Sequence, residues 1–336
     1  MRTDALVDRR PGRSLPEILA QIRPGLEAVE TLLSEAAHVP DLPMLASILA
    51  SVLSGPAKRL RPALALLACE ALGTNGAVPV TLATATEVLH SATLVHDDIV
   101  DSAASRRGKP AAHVAWSDKL AVLAGDYLFA TAADLVARLE RPRIVRQFAD
   151  TIQRMARSEF VAPSFADGMR AARAQYLDKI GNKTASLVAL ACDAAAELAG
   201  APDIQRDALH AFGWNVGLAF QVIDDILDVS GSSGDTGKPV GGDLRHGTLT
   251  LPVIIYLESG GERDGLVRRV VSGQASDDAS MDEALRRLRA SGAADAAHAW
   301  AAELAAQARG SLTALPAGAA RDAMEDLAVY ATDRSR

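Results

Sequence analysis

Apolar residues recur at three- and four-residue spacing along most of this chain, and no period-two alternation bounded by turn pairs is found in it. The first pattern marks amphipathic helices, whereas the second would mark strands. Runs such as LASILASVL, RPALALLACEAL and TLATATEVLHSATLVH are rich in Ala and Leu, which favour helices. Glycine and proline break the runs at Gly55-Pro56, Gly73 to Gly76, Gly108-Lys109-Pro110, Gly181, Gly200-Ala201-Pro202, and from Gly231 to Gly247. Such punctuation predicts many helices of ordinary length joined by short loops. The expected fold is all-α, with residues 1–20 a frayed N-terminal segment and 21–336 a single helical domain. The stretch Gly231–Gly247 is the longest without structure, and a loop of that length inside a compact domain is usually functional. The Ala-rich stretch from Ser291 to Ala320 keeps Leu and Trp300 and reads as a thin peripheral helix.

Composition narrows the functions. Of 336 residues, 49% are hydrophobic and 23% charged, which fits an ordinary globular chain and excludes disorder. The formal charge of −7 repels polyanions, so nucleic acid is not expected as a partner. Cys69 and Cys192 sit in apolar runs (LLACEAL, ALACDAA) and read as small buried hydrophobes. The first residues, MRTDALVDRRPGRSLPEI, lack a secretory apolar core. The apolar runs stop short of the roughly 18 residues that span a membrane, so no transmembrane segment and a cytoplasmic location are expected.

One motif recurs. Asp97-Asp98-Ile99-Val100-Asp101 and Asp224-Asp225-Ile226-Leu227-Asp228 share the pattern D-D-x-x-D, and each follows an apolar helical run. Aspartates four apart lie about 40° apart on one helix face, where like charges repel. Toward a helix C-terminus the macrodipole disfavours anions as well. A local rule broken twice in the same way points to chemistry that uses the cost. Carboxylates without His or Cys are hard oxygen ligands, and Mg²⁺ is commonly held by one or two of them together with substrate phosphates.

Basic groups suited to the phosphates are also present. They are Lys58-Arg59-Leu60-Arg61, Arg106-Arg107-Gly108-Lys109, Lys183-Thr184 and Lys238 in Gly237-Lys238-Pro239. Arginine suits bidentate phosphate contact, and lysine acts as a point charge. His90 precedes Asp97 by seven residues and Asp101 by eleven, so all three fall within about 20–40° on one helix face. His96 lies about 100° off that face and reads as structural, and Asp126 in LAGDYL reads as capping or structural.

Taken in order, GPAKRLRP, EVLHSATLVHDDIVDSAASRRGKPA, LAGDYLFA, YLDKIGNKTASL, FQVIDDILDVSG and GKPVGGDLRHGTLTLPVI resemble the trans-isoprenyl (polyprenyl) diphosphate synthases, most of all the long-chain branch. The likeness is strong over about residues 50–257. It implies a bundle of about ten or more helices around a deep central cavity, with the two acidic motifs facing each other, usually as a homodimer. It implies Mg²⁺, as several ions, on Asp97, Asp101 and Asp224 with Asp98, Asp225 and Asp228 assisting. Arg106, Lys183, Thr184, Gln221 and Lys238 are then the contacts of an allylic diphosphate. Lys58, Arg61, His90 and Arg107 are those of isopentenyl diphosphate. The implied reaction is head-to-tail elongation to an all-trans polyprenyl diphosphate.

Ala92 and Thr93 stand five and four residues before Asp97. Both are small where a bulky side chain would floor the cavity, which predicts a product longer than farnesyl diphosphate. The chain departs from the family pattern at Ser102-Ala103-Ala104-Ser105, which lacks further acidic residues. It also departs at Thr248, where a lysine is usual, and at Ala162, where a glutamine is usual.

Overall fold

The computed structural model describes residues 13–55, 57–231, 241–260 and 265–333. Its main helices are α1 (Arg23–Ala36), α2 (Pro43–Leu53), α3 (Leu60–Ala71), α4 (Ala77–Val100), α5 (Asp118–Ala137), α6 (Pro142–Glu159) and α7 (Met169–Ile180). They continue as α8 (Ser186–Leu198), α9 (Asp203–Ser230), α10 (Leu251–Glu258), α11 (Asp278–Ala290), α12 (Ala293–Ser311) and α13 (Ala319–Thr332). Proline occupies the first turn of α1, α2, α6 and α10, where its missing N–H costs nothing. Ser117 caps α5 by accepting from the Leu120 amide, and Asp277 caps α11 by accepting from Ser280.

Two apolar clusters form the interior. One gathers α1 to α6, α8, α13 and the first half of α9, with Leu209 and Phe212 at its centre. The other gathers α7, α10 to α12 and the second half of α9, through Val222, Ile223 and Ile226. Helix α9 is thus shared by both. Cys69 and Cys192 are buried free thiols, as expected, and burial pushes the Cys69 thiol up to about 12.

Within the segment expected to be frayed, Leu15–Ile18 is helical and Ile18 is buried in the core, and the structure corrects the sequence reading at further places. First, the Ala-rich stretch is not peripheral: α12 runs along α9 and buries Ala293, Ala297, Ala301, Ala305 and Ala308, because small side chains let two helices approach closely. Second, part of the expected loop, Gly242–Arg245, is a helical turn. Third, a short hairpin interrupts the helices: Ser105–Arg106 (β1) pairs with Lys109–Pro110 (β2). Its two turn residues, Arg107 (φ 51°) and Gly108 (φ 76°), both take the left-handed conformation that a tight two-residue hairpin turn demands. Fourth, α4 and α5 are long and apolar enough to cross a membrane by length and composition. Most of α4 is buried inside the protein, which explains its composition, whereas α5 keeps an exposed side.

Three glycines set how closely helices meet. A Cβ on Gly125 of α5 would lie 2.2 Å from His96 Nε2, so the missing side chain makes room for that ring on α4. Asp126 caps nothing: it is exposed in mid-helix, 3.6 Å from His96. On α9, a Cβ at Gly213 would lie 2.7 Å from Ala189 Cα, and one at Gly217 would lie 2.5 Å from Ala185 Cα. Ala185 closes a wide π-helical turn, Gly181–Ala185, that joins α7 to α8 and carries Lys183 and Thr184. Gly217→Ala would meet backbone there, which cannot move aside like a flexible side chain. We expect it to destabilise the protein by more than about 2 kcal/mol, read as a fall in thermal midpoint. An unchanged midpoint would refute this packing.

Candidate functional site

The first acidic motif ends α4. Asp97 is half-buried, and burial raises its pKa. The charge of Lys183 opposes that rise, while Glu159 and Asp101 add to it. Lys183 Nζ lies 2.8 Å from Glu159 Oε1 and 3.8 Å from Asp97 Oδ2. Burial works against its ammonium, but Asp97 and Glu159 outweigh that and hold its pKa above the ordinary lysine value. Asp98 is buried and turned away: it accepts from Arg106 Nε at 2.7 Å. Asp101, just past the helix end, is exposed.

The second motif lies near the end of α9, and its aspartates differ in the same way. Asp225 is buried, accepting from Tyr176 Oη at 2.6 Å and from Gln221 Nε2 at 2.9 Å. Gln221 Oε1 in turn accepts from the Thr184 hydroxyl at 2.7 Å. Asp228 accepts from the Gly242 and Asp243 amides, both at 3.0 Å. Asp224 is half-buried and close enough for its charge to act on Arg61.

The π-turn therefore joins the two motifs. Lys183 faces Asp97, and its neighbour Thr184 reaches Asp225 through Gln221. The wide turn adds a residue relative to an α-helical turn, and such insertions are frequent at functional sites. Glu159, Tyr176 and the Thr184–Gln221 bond are additions to the sequence reading. Tyr176 stands seven residues before Lys183, a helical spacing that marks one face, but only the fold supplies its partner.

Opposite lies a basic group. Arg61 has a buried Nε with no hydrogen-bond partner, an arrangement that calls for an anion. Burial lowers its pKa, with the charges of Glu87 and Asp224 pulling the other way. Burial, then the charges of Arg61, Arg107, Arg106 and Arg59, hold His90 well below the usual imidazole value, so it is neutral at pH 7. Lys58 Nζ sits 5.2 Å from the centre of the Tyr330 ring on α13. Arg59, not singled out in the sequence, is buried in ion pairs with Glu30 and Glu87. Lys238 lies outside the described residues.

A cleft of about 590 Å³, mouth included, opens between α2, α4 and the hairpin, lined by Ser51, Ser54, Leu94, Asp98, Arg106 and Arg107. A second, of about 420 Å³, lies behind Arg61 against Leu64, Val188, Phe220 and Leu327. Ala92 and Thr93 are both buried. Thr93 donates to the His90 carbonyl at 2.8 Å. Ala92 precedes His96 by one turn and so shares the face that meets α5. The Thr248 amide donates to the Asp243 carbonyl at 2.8 Å.

Among the described residues, no three carboxylate, imidazole or thiol groups form a closed metal-holding cluster. A hard divalent cation such as Mg²⁺ needs only one or two carboxylates, with phosphate and water completing the shell. The donor set fits. Asp97, Asp101 and Asp224 supply hard oxygens, and the surplus negative charge around Asp97 favours a cation.

A family model described as Polyprenyl synthetase matches residues 42–288. The chain is 37% identical over 335 residues to a nonaprenyl diphosphate synthase of Mycobacterium tuberculosis, covering 99% of each. It superposes on a decaprenyl diphosphate synthase from Rhodobacter capsulatus with a TM-score of 0.89 at 32% identity, covering 96% of this chain and 100% of that one. A polyprenyl synthase from Caulobacter crescentus, solved with calcium and isoprenyl diphosphate, gives 0.87 at 34% identity, covering 96% and 98%.

Burial pushes the Asp225 carboxyl up to about 7, with Asp243 and Asp224 adding to the rise and the Tyr176 and Gln221 hydrogen bonds opposing it. A folded-state value raised above the unfolded value of about 3.9 gives stability that is full below that value and lost as pH climbs through about 7. In a chelator, wild type should therefore lose thermal stability relative to Asp225→Asn as pH rises from about 5 to about 8. A gap between the two that does not change with pH would sink this assignment.

Proposed function

This chain belongs to the polyprenyl synthetase family, and on that footing we propose how its residues carry out the chemistry of a polyprenyl diphosphate synthase. The enzyme is a prenyltransferase: it condenses an allylic diphosphate with isopentenyl diphosphate, head to tail, into an all-trans chain longer than C15. The observation that carries the assignment of residues is the π-turn. It sets one ammonium on Asp97 and one hydroxyl, through Gln221, on Asp225.

Lys183, Thr184 and Gln221 bind the allylic diphosphate between the motifs, with Arg106 and Lys238 completing the contacts. Asp97, Asp101 and Asp224 would hold Mg²⁺, while Asp98, Asp225 and Asp228 support them through Arg106, Tyr176 and the Gly242–Asp243 amides. Bound Mg²⁺ supplies Lewis-acid stabilisation of the charge gathering on the leaving diphosphate. Lys58, Arg61, His90 and Arg107 orient the isopentenyl diphosphate, and the unpartnered Arg61 Nε–H supports that role. A neutral His90 donates one N–H without adding to the crowd of cations. Apolar helix faces keep water from the allylic cation while the alkene carbon attacks it. The attack leaves a cation on the neighbouring carbon; a proton lost from the carbon beside it passes to the released diphosphate, and its C–H electron pair becomes the new double bond. Positioning and electrostatics supply the rate, without a protein nucleophile.

Ala92 and Thr93 set product length by leaving room beside α4. The two interior clusters share α9, which supports reading residues 21–336 as one helical domain. The outer side of α5 exposes Val122, Leu123 and Tyr127 together, an apolar patch suited to a second copy of the chain in a homodimer. With α4 in the core and α5 at that interface, both apolar helices have a place in a cytoplasmic enzyme.

Incubation with labelled isopentenyl diphosphate, Mg²⁺ and a series of allylic primers, followed by chain-length analysis, tests the activity. Wild type should yield products beyond C15, and Asp97→Asn or Asp224→Asn should lose about a hundredfold or more in kcat/KM. Full turnover in a chelator would end the metal assignment. Ala92→Phe should shorten the product, and an unchanged distribution would remove Ala92 from control of length. Leu123→Glu should give a monomer by light scattering, and a dimer that persists would place the interface elsewhere.

A further inference from the structure

Glu87 stands three residues before His90 on α4, the one acidic residue in the run AVPVTLATATEVLH. Its side chain is 3% exposed, and ionised side chains seldom go inside unless paired. It accepts from Arg59 Nη1 at 2.7 Å. Arg59 is bound from three sides: Nε lies 2.6 Å from Glu30 Oε1, and Nη2 donates to the Leu53 carbonyl at 2.8 Å.

That clamp acts on an unusual backbone. Arg59 is the residue before α3 and sits at φ 46°, a left-handed conformation that costs a residue with a side chain about 1 kcal/mol or more. Such a conformation persists only where surrounding contacts over-determine it. The turn decides where Lys58, on one side, and Arg61, on the first turn of α3, point. The charge of Glu87 also reaches Arg61 and Arg107. Three guanidinium groups converge here, and their mutual repulsion is strong wherever water is scarce. Glu87 offsets it from within the wall, while its direct bond goes to Arg59. Arg61 Nε is left without a partner, ready for an anion.

We propose that Glu87 is a positioning residue of the isopentenyl diphosphate subsite: by holding Arg59 in its left-handed turn and balancing the clustered guanidinium groups, it aims Lys58 and Arg61 at the diphosphate and so sets affinity for the second substrate alone. This deepens the reading above and rests on its assignment of Lys58, Arg61, His90 and Arg107.

Steady-state kinetics of the full-length enzyme, with each substrate varied in turn, test it. Glu87→Gln keeps the shape and removes the charge. The KM for isopentenyl diphosphate should rise about tenfold or more, while the allylic KM and kcat change by less than about threefold. Glu30→Gln is the comparison: it takes the other carboxylate from Arg59 at a half-exposed site but leaves in place the charge that acts on Arg61 and Arg107, so it should raise the isopentenyl diphosphate KM less than Glu87→Gln does. If Glu87→Gln fails to fold, Glu87→Asp, which keeps the charge but draws it back from Arg59, should still raise that KM selectively. Equal rises in both KM values, no rise, or the same rise in Glu30→Gln would each overturn the role of Glu87. Arg61→Ala separates the two levels. If it leaves the isopentenyl diphosphate KM unchanged, the subsite assignment itself falls; if it raises the KM and Glu87→Gln does not, only the positioning role falls.

Discussion

Three carboxylates, Asp97, Asp101 and Glu159, gather around one ammonium, Lys183, at a place where burial already penalises charge. Such an arrangement is tolerable only because each charge is held by an element the core fixes independently. Asp97 comes from α4, Glu159 from the end of α6 and Lys183 from the π-turn, and α4 and α6 are both anchored in the first apolar cluster. The acidic surplus left over favours a cation at this place.

The surrounding aspartates show how the surplus is kept in bounds. Asp98, Asp225 and Asp228 are each held in place: by Arg106, by Tyr176 with Gln221, and by two backbone amides. One aspartate of the first motif and two of the second are thus tied into the framework. The same division appears among the cations, where Arg59 is locked in ion pairs and Arg61 keeps an unpartnered donor. Within a helix, neighbours in sequence find different partners because the helix points their side chains in different directions.

Much of this was legible beforehand. Three- and four-residue spacing of Ala and Leu gave the helices, and the repeated D-D-x-x-D gave the chemistry, because both signals are local. What stayed hidden depends on partners distant in the chain. Glu87 looks like a stray charge until Arg59 is brought against it, 28 residues away. Tyr176 acquires meaning through Asp225, 49 residues on. The closeness of α12 to α9 follows from alanines that, read alone, suggested a thin outer helix. The hairpin was legible in principle, since Arg107-Gly108 fits a two-residue turn, but strands of two residues are too short for a periodic signal.

From Met169 to Leu198 the backbone is nearly one continuous helix with a single wide turn in it. Had that turn been wound like the rest, everything on one side would be rotated by about 100° relative to the other. Lys183 and Thr184 would then leave the two acidic motifs at once. The approach of one ammonium and one hydroxyl to two motifs far apart in the chain is thus staked on the width of five residues.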